Sequence, residues 1–386
     1  MSSNLNEQLT LIQPSSILKF DAEVSLITGI TKLTLGEPDF NTPEHIKIAG
    51  MDAIKNNHTH YAPTAGELPL REAASSFLKE KYDLSYNPKS EILVTAGATE
   101  AIYTALFGIL NLGEKVIIPT PIFPGYIPVT ILSRCTPIFI DTSSNHFVLS
   151  PEMVQQALLE HGESVKAVVL NYPNNPTGVT YTRDEVINLA NELKKHDLIV
   201  LSDEIYSELT YSGTHVSIAK FIPDQTLVIN GVSKSHAMTG WRIGLLCGPA
   251  NLIQEINKVH QFLITSTATM AQKAALVAFR DGKDDAQLMK VEYLKRRDYV
   301  YDCLQKLGFT CPKPNGAFYL FAKIPSGYIQ DSMDFCLDLA KKGKVAFIPG
   351  DSFGPGGEGY VRISYAASMA TLITAMEKLA EYMGNN

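Results

Sequence analysis

Between about Glu91 and Gly248 the chain alternates short apolar, β-rich runs with helical stretches, and this rhythm constrains the fold more than any other feature. The runs are Glu91-Ile-Leu-Val-Thr95, Lys115-Val-Ile-Ile-Pro119, Pro137-Ile-Phe-Ile-Asp141, Lys166-Ala-Val-Val-Leu170, Leu198-Ile-Val-Leu-Ser202, Thr226-Leu-Val-Ile-Asn230 and Trp241-Arg-Ile-Gly-Leu-Leu246. Several are apolar at consecutive positions, as a strand covered on both faces requires. Between them, Arg183 to Lys195 carries Val186, Leu189, Ala190 and Leu193 on one helical face, with Thr182 placed to cap it. Strands alternating with amphipathic helices predict an α/β domain with a largely parallel sheet.

After about residue 285 the pattern changes. A strand over Gly316 to Ala322 precedes a helix over Met333 to Lys342, an extended Lys344 to Pro349 and a strand over Tyr360 to Tyr365. A closing helix is expected to bury Leu372, Ile373, Met376, Leu379, Ala380 and Met383 on one face. This reads as a smaller α+β unit. No repeat or Pro/Gly/Ser linker separates the two parts, so they should pack closely.

The 386 residues are 45% apolar and 19% charged, enough for a full core, and the net charge of −7 argues against a surface built for nucleic acid or anionic lipid. The opening stretch has no basic region followed by an apolar one, and no apolar run approaches the roughly 18 residues of a membrane span. Five scattered cysteines without a C-x-x-C pair suit a reducing, cytoplasmic compartment.

Some motifs fail on context. Gly354-Pro-Gly-Gly-Glu-Gly359 spells a dinucleotide fingerprint, but a β-rich segment follows it where a helix should open, so a flexible surface loop is expected. Ser16-Ile-Leu-Lys19 lacks the companion motifs of serine acyl enzymes. His58 and His60 have no neighbouring ligand set, so no metal site is predicted and both should lie exposed at a helix end or in a loop.

Three segments at predicted strand ends carry the chemistry: Asn171-Tyr-Pro-Asn-Asn-Pro-Thr-Gly178, Ser202-Asp-Glu-Ile-Tyr-Ser207 and Gly231-Val-Ser-Lys-Ser-His-Ala-Met-Thr-Gly-Trp-Arg-Ile-Gly244. Alone, each reads as a turn, a helix cap or a solvated lysine. Together they put a lysine, an aspartate, a tyrosine, an asparagine and an arginine at the crevice of an α/β sheet, which suits an aldehyde cofactor with a phosphate and a pyridine ring. The last strand is expected to contain Arg242.

With these three segments in this order, the chain resembles the class I/II aminotransferases, the fold-type I pyridoxal-phosphate enzymes, over essentially its whole length. The resemblance implies a large domain with a mainly parallel seven-stranded sheet between helices, spanning residues 46 to 284. A smaller α+β domain would combine residues 1 to 45 with 285 to 386. It further implies that Lys234 bonds to pyridoxal 5'-phosphate and shuttles a proton between the substrate Cα and the cofactor C4′, and that Asp203 keeps the pyridine nitrogen protonated. Tyr206 and Asn175 correspond to partners of the ring O3′, and Phe123 to an aromatic stacked on the ring. Ala98, Thr99, Ser233 and Arg242 correspond to phosphate ligands, joined by Tyr61 from a second subunit of a homodimer with shared active sites. Arg362, with Gly36 and Asn175, corresponds to the grip on the substrate.

The wording of Lys32 to Phe40, Glu292 to Tyr299 and Val361 to Ser368 is similar to aromatic amino-acid aminotransferases of Gram-positive bacteria. Ser202 to Leu209 and most of Ser233 to Gly244 are shared with N-acetyl-diaminopimelate aminotransferases. The expected reaction is ping-pong transfer from an aromatic L-amino acid to 2-oxoglutarate. N-acetyl-L,L-diaminopimelate or aspartate is the alternative donor, and a C–S β-lyase is the weaker alternative reaction. Gly29 to Gly36 and the N-terminal arm are candidates for closing the site.

Overall fold

The computed structural model describes residues 5–384. Among them run twelve strands: β1 (Thr31–Lys32), β2 (Ile92–Thr95), β3 (Lys115–Thr120), β4 (Thr136–Asp141), β5 (Val165–Asn171), β6 (Ile199–Asp203), β7 (Thr226–Gly231), β8 (Gly244–Cys247), β9 (Tyr319–Lys323), β10 (Val345–Ala346), β11 (Ile348–Pro349) and β12 (Tyr360–Ser364). Seven of them form one sheet in the order β2-β8-β7-β6-β5-β3-β4. Only β8 runs against its neighbours there; the other pairings are parallel.

The consecutive apolar positions of these strands feed two separate cores, because successive strand side chains point to opposite faces. Val116, Ile118, Ala167, Val169 and Leu201 pack on one side with Ala101 and Leu106 of the helix Gly97–Ile109. Ile117, Val168, Leu170 and Val200 pack on the other with Leu189 and Leu193 of the helix Arg183–Leu193. Thr182 begins that second helix with the expected cap, in a reciprocal box with Glu185.

The chain ends meet in a second assembly. β1 pairs with β10 in parallel, and β11, β12 and β9 form an antiparallel sheet. One core joins Phe20, Val24 and Leu33 to Tyr293, Phe318, Phe321, Leu372 and Leu379. The backbone N–H of Ser364 donates to the carbonyl of Leu33 (3.0 Å), which brings the segment before Gly36 beside β12 and its Arg362.

Four local expectations are corrected. Arg242 is not in a strand: it follows the short turn Thr239–Trp241 with φ of 56°, and β8 begins at Gly244. The helix placed over Met333 to Lys342 ends as α-helix at Asp338 and relaxes into a wider turn, Leu339–Gly343. In the closing helix, Met369–Gly384, Ile373 and Ala380 face solvent while Ala375 and Tyr382 are buried, because the face in contact is turned slightly from the one the periodicity favoured. The Gly354 to Gly359 turn packs against the large sheet: a Cβ at Gly356 would lie 2.2 Å from Asp141 Oδ1. His58 and His60 are exposed as expected.

Candidate active site

The parallel strands of the large sheet end on one edge, and the turns that leave them converge there. The turn after β2 supplies Ala98 and Thr99, that after β5 supplies Asn175, that after β6 Tyr206, and that after β7 Ser233 and Lys234. These residues line a cavity of about 310 Å³ together with Asp203, Phe123, Arg242, Gly36 and Arg362.

At the inner end, Asp203 closes β6 and is buried. Tyr126 donates its hydroxyl to Asp203 Oδ2 (2.7 Å), and the Ile205 N–H donates to Oδ1 (3.2 Å). Burial lifts the Asp203 carboxyl to about 6, against those two hydrogen bonds and the nearby Lys234 charge. Lys234 donates to the Gly36 carbonyl (2.6 Å), across nearly 200 residues of sequence. Burial lowers its amine to about 8; Glu37 opposes that shift, and Arg242 and Arg362 add to it. A weakened ammonium at a strand end is what a nucleophilic or proton-carrying lysine needs.

At another end, the helix Gly97–Ile109 opens with its first N–H groups free of backbone partners in its own turn, the position where a helix favours an anion. Gly97 has φ of 76°, and a Cβ there would lie 2.4 Å from Arg242 Nη2, so only glycine lets the guanidinium approach this turn. Arg242 donates to the carbonyls of Thr239 (3.0 Å) and Ala96 (3.3 Å), which leaves its other N–H groups for a ligand.

Arg362 occupies the side facing the chain ends. It donates to Asn175 Oδ1 (3.0 Å) and to the Thr34 carbonyl (2.6 Å), and its buried Nε has no protein partner. A fixed guanidinium with a spare donor suits a carboxylate. Its plane lies over the Tyr319 ring at 4.7 Å, and the Tyr319 and Tyr206 hydroxyls are 2.9 Å apart. Burial raises both phenols, and the Arg362 charge opposes the shift.

Of the residues singled out in the sequence, only Tyr61 lies away from this cavity; it is 89% exposed. Sequence reasoning missed Tyr126, three positions after Phe123, and Tyr319 in the Gly316 to Ala322 run. It also missed Asn171, whose Oδ1 accepts the Asn175 N–H (2.9 Å), and the rim residues Ile17, Leu18, Asp21, Thr34 and Leu35. Asn171, Tyr319, Thr34 and Leu35 lie inside stretches the sequence already singles out, without a signal for their roles; Tyr126, Ile17, Leu18 and Asp21 carried none. Among the described residues no cluster of His, Cys, Asp and Glu could hold a metal ion, and no helix is long and apolar enough to cross a membrane.

Residues 28–379 match the family of class I and II aminotransferases. The chain is 46% identical to a probable N-acetyl-LL-diaminopimelate aminotransferase of Bacillus subtilis, over 98% of this chain and 95% of that protein. It is 36% identical to aromatic-amino-acid aminotransferase 2 of Thermococcus litoralis, over 98% of each. The aspartate aminotransferase of Thermus thermophilus solved with maleate superimposes with a TM-score of 0.93 at 34% identity, over 98% of this chain and 99% of that one. The chain therefore belongs to the class I and II aminotransferases. It is a pyridoxal-phosphate-dependent transferase of fold type I.

The cavity fits that cofactor on its own terms. It combines an anion-favouring helix start that a side chain at Gly97 would obstruct, a buried carboxylate with capacity for a cationic partner, and a weakened lysine.

Proposed function

We propose that this aminotransferase moves the amino group of an aromatic L-amino acid to 2-oxoglutarate in a ping-pong cycle. In this reading Ala98, Thr99, Ser233 and Arg242 hold the cofactor's phosphate. Asp203 pairs with the pyridine nitrogen, braced by Tyr126, and beside that cation its carboxylate is ionised at neutral pH. Phe123 packs on the ring, and Tyr206 and Asn175 hydrogen-bond its O3′. When bound, the cofactor supplies an electron sink for the pair left as the Cα proton departs. Lys234 anchors the cofactor aldehyde and, once released, carries the proton from and to Cα; an amine near 8 can do both around neutral pH. Arg362 grips the α-carboxylate and Gly36 closes over it.

The aromatic preference rests on one observation. Ile17, Leu18 and Leu35 give the cavity an apolar rim, and its described lining residues offer no Lys or Arg beyond Lys234, Arg242 and Arg362 for a second carboxylate. N-acetyl-L,L-diaminopimelate is the second reading, favoured by the 46% identity to the Bacillus subtilis protein. Tyrosine, phenylalanine, aspartate and N-acetyl-diaminopimelate, assayed with 2-oxoglutarate at fixed enzyme, separate them. The aromatic donors should show the highest kcat/KM; activity confined to N-acetyl-diaminopimelate overturns the proposal. Steady release of pyruvate and thiol from cystathionine without a keto acid would instead indicate a β-lyase.

The same reading divides the chain into a cofactor domain, 46 to 284, and a second domain of both ends, 1 to 45 with 285 to 386. It includes a homodimer in which Tyr61 reaches the partner's phosphate site, supported by that tyrosine's exposure and by Phe262, 87% exposed. A fully active monomer in gel filtration would remove this part. Five free thiols suit the cytoplasm as its compartment.

A further inference from the structure

Directly after Thr99, in the first turn of the helix Gly97–Ile109, stands a carboxylate that the reaction does not use. Glu100 is 8% exposed and does not line the cavity. Its Oε2 accepts the Ala96 N–H (3.0 Å), and its Oε1 accepts the Thr104 hydroxyl and faces His260 Nδ1 at 3.0 Å. The His260 ring is wholly buried, with Nε2 2.9 Å from the Thr64 carbonyl.

A carbonyl can only accept, so His260 Nε2 carries a hydrogen. Nδ1 faces a carboxylate that already accepts two other hydrogens. The ring therefore either donates from both nitrogens or shares one proton with Glu100, and in both cases the pair is net neutral. That neutrality matters at this place. An uncompensated buried carboxylate next to a helix start would repel any anion bound there, with little water to screen it. The pair also links two segments far apart in sequence: Ala96, whose carbonyl accepts from Arg242, and Thr64, three residues from Tyr61.

We propose that Glu100 and His260 are a positioning pair for the anionic end of the cofactor. Glu100 fixes the Ala96 to Ala98 turn, and His260 cancels its charge and ties the turn to the Tyr61 to Gly66 segment. This inference rests on the reading that this turn and Arg242 hold the phosphate.

The test titrates cofactor-free protein with pyridoxal phosphate and with pyridoxal, which lacks the phosphate, following absorbance. His260→Gln strands the carboxylate and should weaken pyridoxal phosphate binding by about tenfold or more, while pyridoxal binding changes by less than about twofold. Glu100→Gln removes the charge but can still accept from Ala96 and donate to a neutral ring, so it should stay within about threefold of wild type. The double variant should regain most of the His260→Gln loss. Equal losses for both ligands, or none, overturn the pair, as does a double variant no better than His260→Gln. If His260→Gln does not fold, Glu100→Gln still decides: a loss of about tenfold contradicts the charge argument. Arg242→Ala serves as the reference. If it fails to discriminate the two ligands, the phosphate reading itself is wrong; if it discriminates and His260→Gln does not, only the pair falls.

Discussion

The two sides of the cavity are built differently. The side formed by Ala98, Asp203, Ser233 and Lys234 stands on the ends of strands in one continuous sheet, and its neighbours are buried on both faces. The rim comes from the chain's N-terminal part: Ile17 and Leu18 stand in the first turn of the helix Ser16–Val24, and Leu35 and Gly36 in the irregular segment after β1, with Leu18 71% and Leu35 51% exposed. Phe20, Val24 and Leu33 anchor this part in the second core, and at the cavity itself long-range hydrogen bonds hold it, among them Arg362 to Thr34 and Lys234 to Gly36. A sheet-borne wall on one side and a rim of exposed side chains on the other is the arrangement expected where a cofactor stays and substrates come and go.

Lys234 belongs to both sides, so its removal should have the largest effect. Lys234→Ala should lower amino transfer by about 10³-fold or more while the cofactor can still bind, as measured by glutamate formation in steady state. A rate near wild type would break the assignment of the lysine. The two arginines then separate the sides. Arg362→Ala should lower kcat/KM for the amino donor by roughly 10²- to 10³-fold, since charge-assisted hydrogen bonds contribute about 1.5–3 kcal/mol each. Its cofactor retention on dialysis should be nearly unchanged. Arg242→Ala should do the reverse, losing cofactor affinity by about tenfold to a hundredfold with a smaller effect on kcat at saturating cofactor. If both variants lose cofactor alike, the two sides are one coupled unit.

The lysine also makes a prediction about the cofactor-free protein. Its amine sits near 8 in the folded chain, against an ordinary value near 10.5. Between those limits the unfolded chain binds more protons, so this group makes stability rise as pH increases from about 8 to about 10 and opposes folding below about 8. Lys234→Met should remove that slope and, at pH 7, stabilise the cofactor-free protein by roughly 1–2 kcal/mol in urea unfolding. An unchanged pH profile would show that the amine is not held in a dry environment before the cofactor arrives.

The same contrast explains what could be read from the sequence. The sheet side was legible because its residues sit at fixed points of a regular pattern: Asp203 ends an apolar run, Lys234 follows another, and Asn175 lies in the turn after a third. The central strands of the large sheet were legible too, since burial on both faces leaves runs such as Val116 to Ile118 apolar throughout. Tyr126 was not, because nothing local says that a tyrosine in a short helix will meet a carboxylate 77 residues later. Tyr319 pairs with Tyr206 across 113 residues and depends on which face of β9 meets the cavity. Arg242 reads as part of a strand because it stands between Trp241 and Ile243, both β-prone, at the start of an apolar run. Its left-handed backbone serves the close approach to Gly97, a tertiary requirement that overrides propensity.

The smallest expected effect probes the rim by itself. Leu35 stands between Thr34, whose carbonyl Arg362 holds, and Gly36, whose carbonyl Lys234 holds, so its backbone is anchored while its side chain is half exposed. Truncation should therefore remove apolar surface without moving either anchor. Leu35→Ala loses part of the roughly 1.5–3 kcal/mol that full burial of a leucine contributes, which for a half-exposed side chain is about 1 kcal/mol, or about fivefold in kcat/KM. That loss should fall on phenylalanine and tyrosine and spare alanine, whose side chain is too short to reach the rim, and cofactor affinity should not change. An equal loss for alanine would mean that Leu35 acts through its anchored neighbours. Cofactor loss alongside it would mean that the rim and the sheet side are not separable.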